Sequence, residues 1–331
     1  MNIAAEKNNE GAPAPRNLRQ RLAQFAHDGS KDHRWFVMNV FSRFYTIRRL
    51  VRLLSKNADL RAGPQRAGLF PSLDVDETVA TLDRDGVCTG LQLPQNIVDR
   101  FVEYASTNVM RGDGQNLWGF TLDEKDRAEQ EVGRRFGFAN FLHLDEELPL
   151  IAEVGSDPKL QQIAAEYFGT TPMHVISRLW WNFAVPDETS QPGEVRRIAS
   201  YFHHDKDGYA GLRLFFYLTD VDASAGPHVV VPGSHRKKSV RQILSIAKRS
   251  DDAIAGFYGS DALTAITGRA GSGFLEDPFC FHKGTAPTTT DRLILELQFA
   301  TTRYSVFDKA PDRSELATIF EPPSFELSVA A

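Results

Sequence analysis

The sequence predicts a mainly β domain, a sandwich or barrel, flanked by helices and preceded by a basic helical extension. Three observations predict it. From about Pro172 onward the chain breaks into short β-rich runs separated by Gly and Pro turns. Upstream, apolar residues recur with a helical period. Charge is divided: residues 1–66 hold 13 Lys and Arg against 5 Asp and Glu, the remainder 25 against 38. A 331-residue chain that is 42% hydrophobic and 24% charged suits a globular fold with a sizeable core. Two cysteines, Cys88 and Cys280, exclude a disulfide scaffold or a zinc–thiolate cluster and point to a reducing, cytoplasmic compartment. No apolar run reaches the roughly 20 residues of a membrane span, and the polar start lacks the apolar centre of a secretory signal. The acidic body argues against a nucleic-acid partner.

Taken in order, residues 1–16 read as a disordered tail and 17–70 as the basic helical extension. Within it Phe36, Val37, Val40, Phe41, Phe44, Ile47, Val51 and Leu54 form a helical stripe, with Arg43, Arg48, Arg49, Arg52 and Lys56 off it. The stripe predicts one amphipathic helix over 34–57, which either packs on the domain or makes a weak peripheral contact with an anionic inner-membrane surface. RAGPQRAGLFPS has linker composition. The main domain is expected over 71–310, followed by a C-terminal tail, 311–331.

Inside the domain, DGVCTGLQL predicts a strand and PQNIVDRFVEYAS a helix with Pro in its first turn. ELPLIAEVG and DPKLQQIAAEYFG predict a helical pair, the second opened by Asp157–Pro158 and closed by Gly169. Strands are expected in HVISRLWWNFAV, IASYFHHD, LRLFFYLTDV, PHVVVPGS, SGFLED, FCFHKG and RLILELQFATT.

The residues with chemistry to offer lie in that β region. In SYFHHDKDG, His203 and Asp205 stand two apart, so on a strand an imidazole and a carboxylate share one face. The alternative pair starting at His204 lands on Lys206, no ligand while protonated. His282, on a later strand just before a Gly turn, is the best candidate for a third ligand. Two imidazoles and one carboxylate hold Fe(II) and leave adjacent positions open for O2 and a cosubstrate. Arg292, ten residues on, heads the next strand, and its fork suits the distal carboxylate of a chelating 2-oxo diacid.

In this order, His203 and Asp205 in FHHD, GPHVVVPGSH, His282 in the HKG turn and Arg292 in DRLILEL, the chain resembles the phytanoyl-CoA dioxygenase-like branch of the Fe(II)/2-oxoglutarate-dependent oxygenases. The resemblance covers roughly residues 75–302. It implies a double-stranded β-helix (jelly-roll) barrel, iron held by His203, Asp205 and His282, and 2-oxoglutarate anchored by Arg292. Positions where such proteins often carry Ser or Thr are Ile294 and Gly284 here, so accessory cosubstrate contacts fall to Asn182, Thr285, Phe215 or Tyr217. Asp205 closes the coordination site that related halogenases leave for chloride.

The expected activity is Fe(II)- and 2-oxoglutarate-dependent hydroxylation of a C–H bond in a small-molecule, lipid or glycan substrate, with release of succinate and CO2. The alternative is a non-catalytic β-barrel module that binds carbohydrate or lipid. His228 and His235 are expected to fix turns or support the site from behind, Glu296 to pair with Arg292 or line the pocket, and Arg178, Asp207 and Tyr209 to lie near its mouth.

Overall fold

The computed structural model describes residues 18–55, 68–185, 201–206, 208–244, 249–304 and 316–320. Among them, two antiparallel sheets carry the fold. The larger has the strand order β1 (Val87–Gln92), β9 (Ser272–Glu276), β6 (Gly211–Tyr217), β11 (Arg292–Ala300), β5 (Met173–Asn182), β4 (Phe138–Asn140), β2 (Met110–Gly112) and β3 (Gly119–Phe120). The smaller is β10 (Phe281–Gly284), β7 (His228–Val231) and β8 (Thr264–Ile266).

The sequence of β11 explains how the sheet divides the interior. All nine of its residues are buried. Leu293, Leu295, Leu297 and Phe299 face a core shared with the helices α5 (Gln95–Thr107), α8 (Leu150–Gly155) and α9 (Pro158–Phe168), against Phe101, Ile151, Ile163 and Phe168. The alternate positions Arg292, Ile294 and Glu296 face the space between the sheets, where Ile294 meets Phe215, Tyr217, Val230 and Phe274. Period-two alternation thus puts a hydrocarbon core on one side and a functional interior on the other. The expected helices are present, α9 with Asp157 accepting from the amides of Lys159 and Leu160 and with Gly169 closing it at φ 72°.

The expected closed barrel is not formed. Of the run IASYFHHD, 198–200 lie outside the described residues, and the described part makes no strand: Phe202 and His203 make isolated bridges, to Arg249 and His282. The backbones of His203 and His282 exchange both hydrogen bonds, at 3.0 and 2.9 Å, but the ladder stops there. At the next position in register the amide of Cys280 donates to Asp277 in a turn, and the amide of Asp205 donates to the carbonyl of Pro278.

The expected single helix over 34–57 is also corrected. Its described part is two helices, α2 (His33–Phe41) and α3 (Tyr45–Leu54), broken at Phe44, which is extended; α1 (Leu18–Lys31) precedes them. Nor is the apolar stripe the buried face: Phe36, Val37, Phe41 and Leu54 are exposed, whereas Arg48, expected off the stripe, is buried. The cause is a carboxylate in the body. Arg48 donates to Asp277 at 3.3 Å and to the carbonyl of His235 at 2.6 Å, with its guanidinium 3.7 Å from the Phe279 ring centroid. Arg52 pairs with Asp83 at 2.6 Å. The basic arm is attached to the acidic body through its charges. The predicted tails, 1–16 and 311–331 apart from 316–320, and most of the linker lie outside the described residues.

Candidate active site

The bridge between His203 and His282 fixes the centre of the site, because it places the two imidazoles side by side with ring centroids 4.5 Å apart. Asp205 follows two residues on, and one ligand atom from each of His203, Asp205 and His282 lies within 4.8 Å of the others. Each ring has its Nδ1 occupied. That of His203 is 3.3 Å from the carbonyl of Tyr201, and that of His282 is 3.0 Å from the carbonyl of Cys280 and 2.9 Å from Oε1 of Glu276. Nε2 is therefore the free ligand atom on each, the arrangement in which backbone or carboxylate acceptors orient metal-binding imidazoles.

Electrostatics favours a cation at this point. Burial would depress the pKa of His282, yet Glu276 and Asp205 raise it to about 10. Burial, with His282 beside it, takes His203 down to about 4. Burial would raise Asp205, but Arg213, with Nη2 2.8 Å from Oδ2, holds its carboxyl well below the usual range. A half-buried carboxylate, Asp205, and a fully buried one, Glu276, thus face the Nε2 side and the back of one imidazole, and a divalent ion fits the donor set.

Behind the triad runs a chain of charges. Glu276, wholly buried, lies between His282 and Nε2 of His228, the latter 2.7 Å away. Arg213 spans Asp205 and Glu296, the second at 3.3 Å, and Glu296 accepts from Arg178 at 2.8 Å. Glu296 therefore pairs with two arginines other than Arg292 and lines the cavity.

That cavity, of about 450 Å³, opens against the triad at His203 and is walled by Arg292, Asn182, Trp180, Thr285, Glu296 and Arg111, with Phe138 and Phe141 among the remaining lining residues. Arg292 is buried, and burial pulls its pKa down to about 10. Its Nη2 donates to Oδ1 of Asn182 at 2.6 Å, while Nε and Nη1 have no hydrogen-bond partner. Two unsatisfied donors on a buried guanidinium beside a cavity are what an absent carboxylate would satisfy.

The accessory residues divide. Asn182 and Thr285 are on the wall, but Asn182 turns its oxygen to Arg292 and to Trp180 Nε1, and the Thr285 hydroxyl donates to the carbonyl of Pro227. Tyr217 and Phe215 do not reach the wall. The Tyr217 hydroxyl is used by the backbone of Ile266 and His228, and Phe215 packs on His228 and Phe274. Arg178 lines the cavity as expected. Tyr209 instead packs with Trp35, Met38 and Tyr304, and Asp207 lies outside the described residues.

The sequence reading did not identify Glu276, Arg213 or Arg111. The first two had a visible signal, a charge within an apolar strand run, SGFLE and GLRLFFY.

Compared with known proteins, residues 96–293 match the family model described as phytanoyl-CoA dioxygenase (PhyH), a span that contains His203, Asp205, His282 and Arg292. No curated protein matches. Among solved structures, the non-heme alpha ketoglutarate dependent epimerase SnoN from nogalamycin biosynthesis shares the fold, with a TM-score of 0.51 and 15% identity over 72% of this chain and 89% of that one. HygX from Streptomyces hygroscopicus, with nickel, 2-oxoglutarate and hygromycin B, aligns at TM-score 0.46 and 15% identity over 68% and 87% of the two chains. The carbocyclase SnoK aligns at 0.45 and 19% identity over 75% and 92%.

Proposed function

This chain belongs to the phytanoyl-CoA dioxygenase family, whose cofactors are Fe(II) and 2-oxoglutarate, and we propose that it hydroxylates a C–H bond of a small molecule while converting 2-oxoglutarate to succinate and CO2. His203, Asp205 and His282 would hold the iron, whose open coordination positions would supply the oxidation chemistry. The observation that carries the reading is Arg292, a buried cation with two unused donors on the wall of a cavity that begins at His203. Its guanidinium would pair with the distal carboxylate of 2-oxoglutarate, and Asn182 holds it in place through Nη2. Glu276 keeps the His282 imidazole oriented, and Arg213 does the same for the Asp205 carboxylate. Phe138, Phe141 and Trp180 exclude water from the substrate.

Anaerobic titration with Fe(II) and then 2-oxoglutarate tests this. A visible metal-to-ligand charge-transfer band should appear, and admitting air should yield succinate. A protein that takes up neither is a binding module instead.

The same reading extends to the arm. Exposed Phe36, Val37 and Phe41 on α2 and Leu50, Leu53 and Leu54 on α3 stand beside exposed Arg34 and Arg49, a combination suited to a weak, salt-sensitive contact with an anionic bilayer, worth ~1 kcal/mol per basic residue near the surface. Among the described residues no helix is long and apolar enough to cross a membrane. Cosedimentation with anionic vesicles at low salt, lost in Leu50→Ser/Leu54→Ser, would support the contact; its absence at low salt would remove it.

A further inference from the structure

The cavity carries one more cation than iron and cosubstrate account for. Arg111 sits on β2 opposite Asn140 of β4, which is opposite Trp180 of β5, itself opposite Ile294 of β11. These four residues form one row across the sheet, facing the cavity except that Ile294 lies just behind its wall. Adjacent strands are about 4.8 Å apart, so Arg111 stands on the order of 10 Å from Trp180 and about 14 Å along the sheet from the strand that bears Arg292 and Glu296. It lies at the end of the cavity away from the cosubstrate anchor.

The other charges on the wall have partners. Arg178 is opposite Glu296 in register and bonded to it, and Arg292 belongs to 2-oxoglutarate in the reading above. Arg111 has only neutral ones. Its Nε is 3.4 Å from Oδ1 of Asn140 and its Nη1 2.9 Å from Oδ1 of Asn116, and no acidic side chain among the described residues pairs with it. Burial alone lowers its pKa, with no carboxylate to raise it again. Two amide oxygens orient the fork without neutralising it, leaving a positioned positive charge in a half-dry cavity.

We infer that Arg111 binds an oxyanion on the substrate, a carboxylate, phosphate or sulfonate, while the apolar middle of the same molecule lies against Trp180, Phe138 and Phe141. This rests on the oxygenase reading and adds a substrate class to it: an elongated, amphipathic oxyanion, oxidised roughly 10 Å or more from its charged end. A neutral substrate or a cationic one would leave Arg111 desolvated without a counter-charge, which disfavours both.

The test uses four probes with the same heptyl tail, octanoate, heptyl phosphate, heptanesulfonate and octanamide, titrated calorimetrically into the protein with Fe(II) and 2-oxoglutarate under anaerobic conditions and into the metal-free protein. At least one oxyanion should bind roughly tenfold or more tighter than the amide, as expected for a hydrogen bond to a charged group, and which one does identifies the headgroup. Arg111→Gln should abolish that preference without changing octanamide binding or the 2-oxoglutarate charge-transfer band. Arg111→Lys, which keeps the charge and loses the fork, should weaken the preferred oxyanion several-fold and serves if the Gln variant does not fold. The inference is overturned if no oxyanion outbinds the amide, if the preference survives Arg111→Gln, if Arg111→Lys binds the oxyanion as the parent does, or if Arg111→Gln loses the 2-oxoglutarate band, which would make Arg111 part of the cosubstrate site. A parent protein that shows the Arg111-dependent preference but no charge-transfer band supports the oxyanion site and refutes the oxygenase reading alone.

Discussion

Oε1 of Glu276 lies 2.9 Å from Nδ1 of His282, with neither residue accessible to solvent to any useful degree. A carboxylate on the back of a metal-binding imidazole fixes which nitrogen is free and makes that nitrogen a stronger donor. Glu276→Gln is expected to fold and to lose about 10–100-fold in Fe(II) affinity, the usual cost of removing such support. Fe(II) titration followed by calorimetry or by a competing chelator checks this. Unchanged affinity would reduce Glu276 to a partner of His228.

The ligands themselves should behave differently from their supports. His203→Ala, Asp205→Ala and His282→Ala should each lose iron, since no fourth protein ligand is within reach among the described residues. Parallel far-ultraviolet circular dichroism would show that the fold is retained. Two variants that bind iron as the parent does would sink the triad.

Arg292→Ala should leave Fe(II) binding intact and weaken 2-oxoglutarate by about 2–5 kcal/mol, because the distal carboxylate would be buried without its partner. Arg292→Lys should recover part of that. The charge-transfer band, titrated with 2-oxoglutarate in the absence of O2, reads both. Asn182→Ala should give a smaller loss of the same sign, as it frees the guanidinium without removing it.

The arm makes a prediction about stability. Burial alone would raise the Asp277 carboxyl, but Arg48 beside it, with His235 and the Tyr167 hydroxyl at 2.7 Å, holds it below the ordinary value of 3.8. A carboxyl whose pKa is lowered in the folded state contributes stability that is full above its unfolded value and lost as pH falls through the folded one. Arg48→Ala should cost about 3–5 kcal/mol, as for other buried pairs broken on one side, and Asp277→Asn combined with it should restore part. Denaturant unfolding at pH 7 and at pH 3 measures both effects. An Arg48→Ala loss under 1 kcal/mol would mean that the arm is only loosely docked.

The parts of the site that were legible in the sequence are those whose geometry is local. His203 and Asp205 are two residues apart, and His282 and Arg292 are each marked by an adjacent turn or strand start, so short-range patterns suffice. Glu276, Arg213 and Arg111 depend on sheet register, on which residue of β9, β6 or β2 lies across from which neighbour, and that is set by pairings between separate strands, such as Arg111 with Asn140, Arg213 with Glu276 and Val87 with Glu276, which no local pattern specifies. The only local trace is a charge within an apolar strand run, at Glu276 and Arg213, and Arg111 has none. The arm departs from its sequence pattern for a similar reason: the helical stripe is local, but the carboxylate that buries Arg48 instead of Leu54 lies 229 positions away. The barrel follows from the resemblance and from the run of short strands between Gly and Pro turns, and neither shows that pairing at His203 stops after one bridge, where Cys280 enters a turn from Asp277.

The alternation along β11 has a consequence for how this strand can change. Because its odd positions serve the helices and its even positions serve the site, inserting or deleting one residue just before the strand, with the pairing register kept, would turn Arg292 and Glu296 into hydrocarbon and present leucines to the cosubstrate. Neither half would survive, so length variation here should be forbidden, whereas single substitutions on the even face can alter what the protein accepts while the scaffold stays whole. The strand works as a ratchet, open to new specificity one side chain at a time and closed to any shift of its frame.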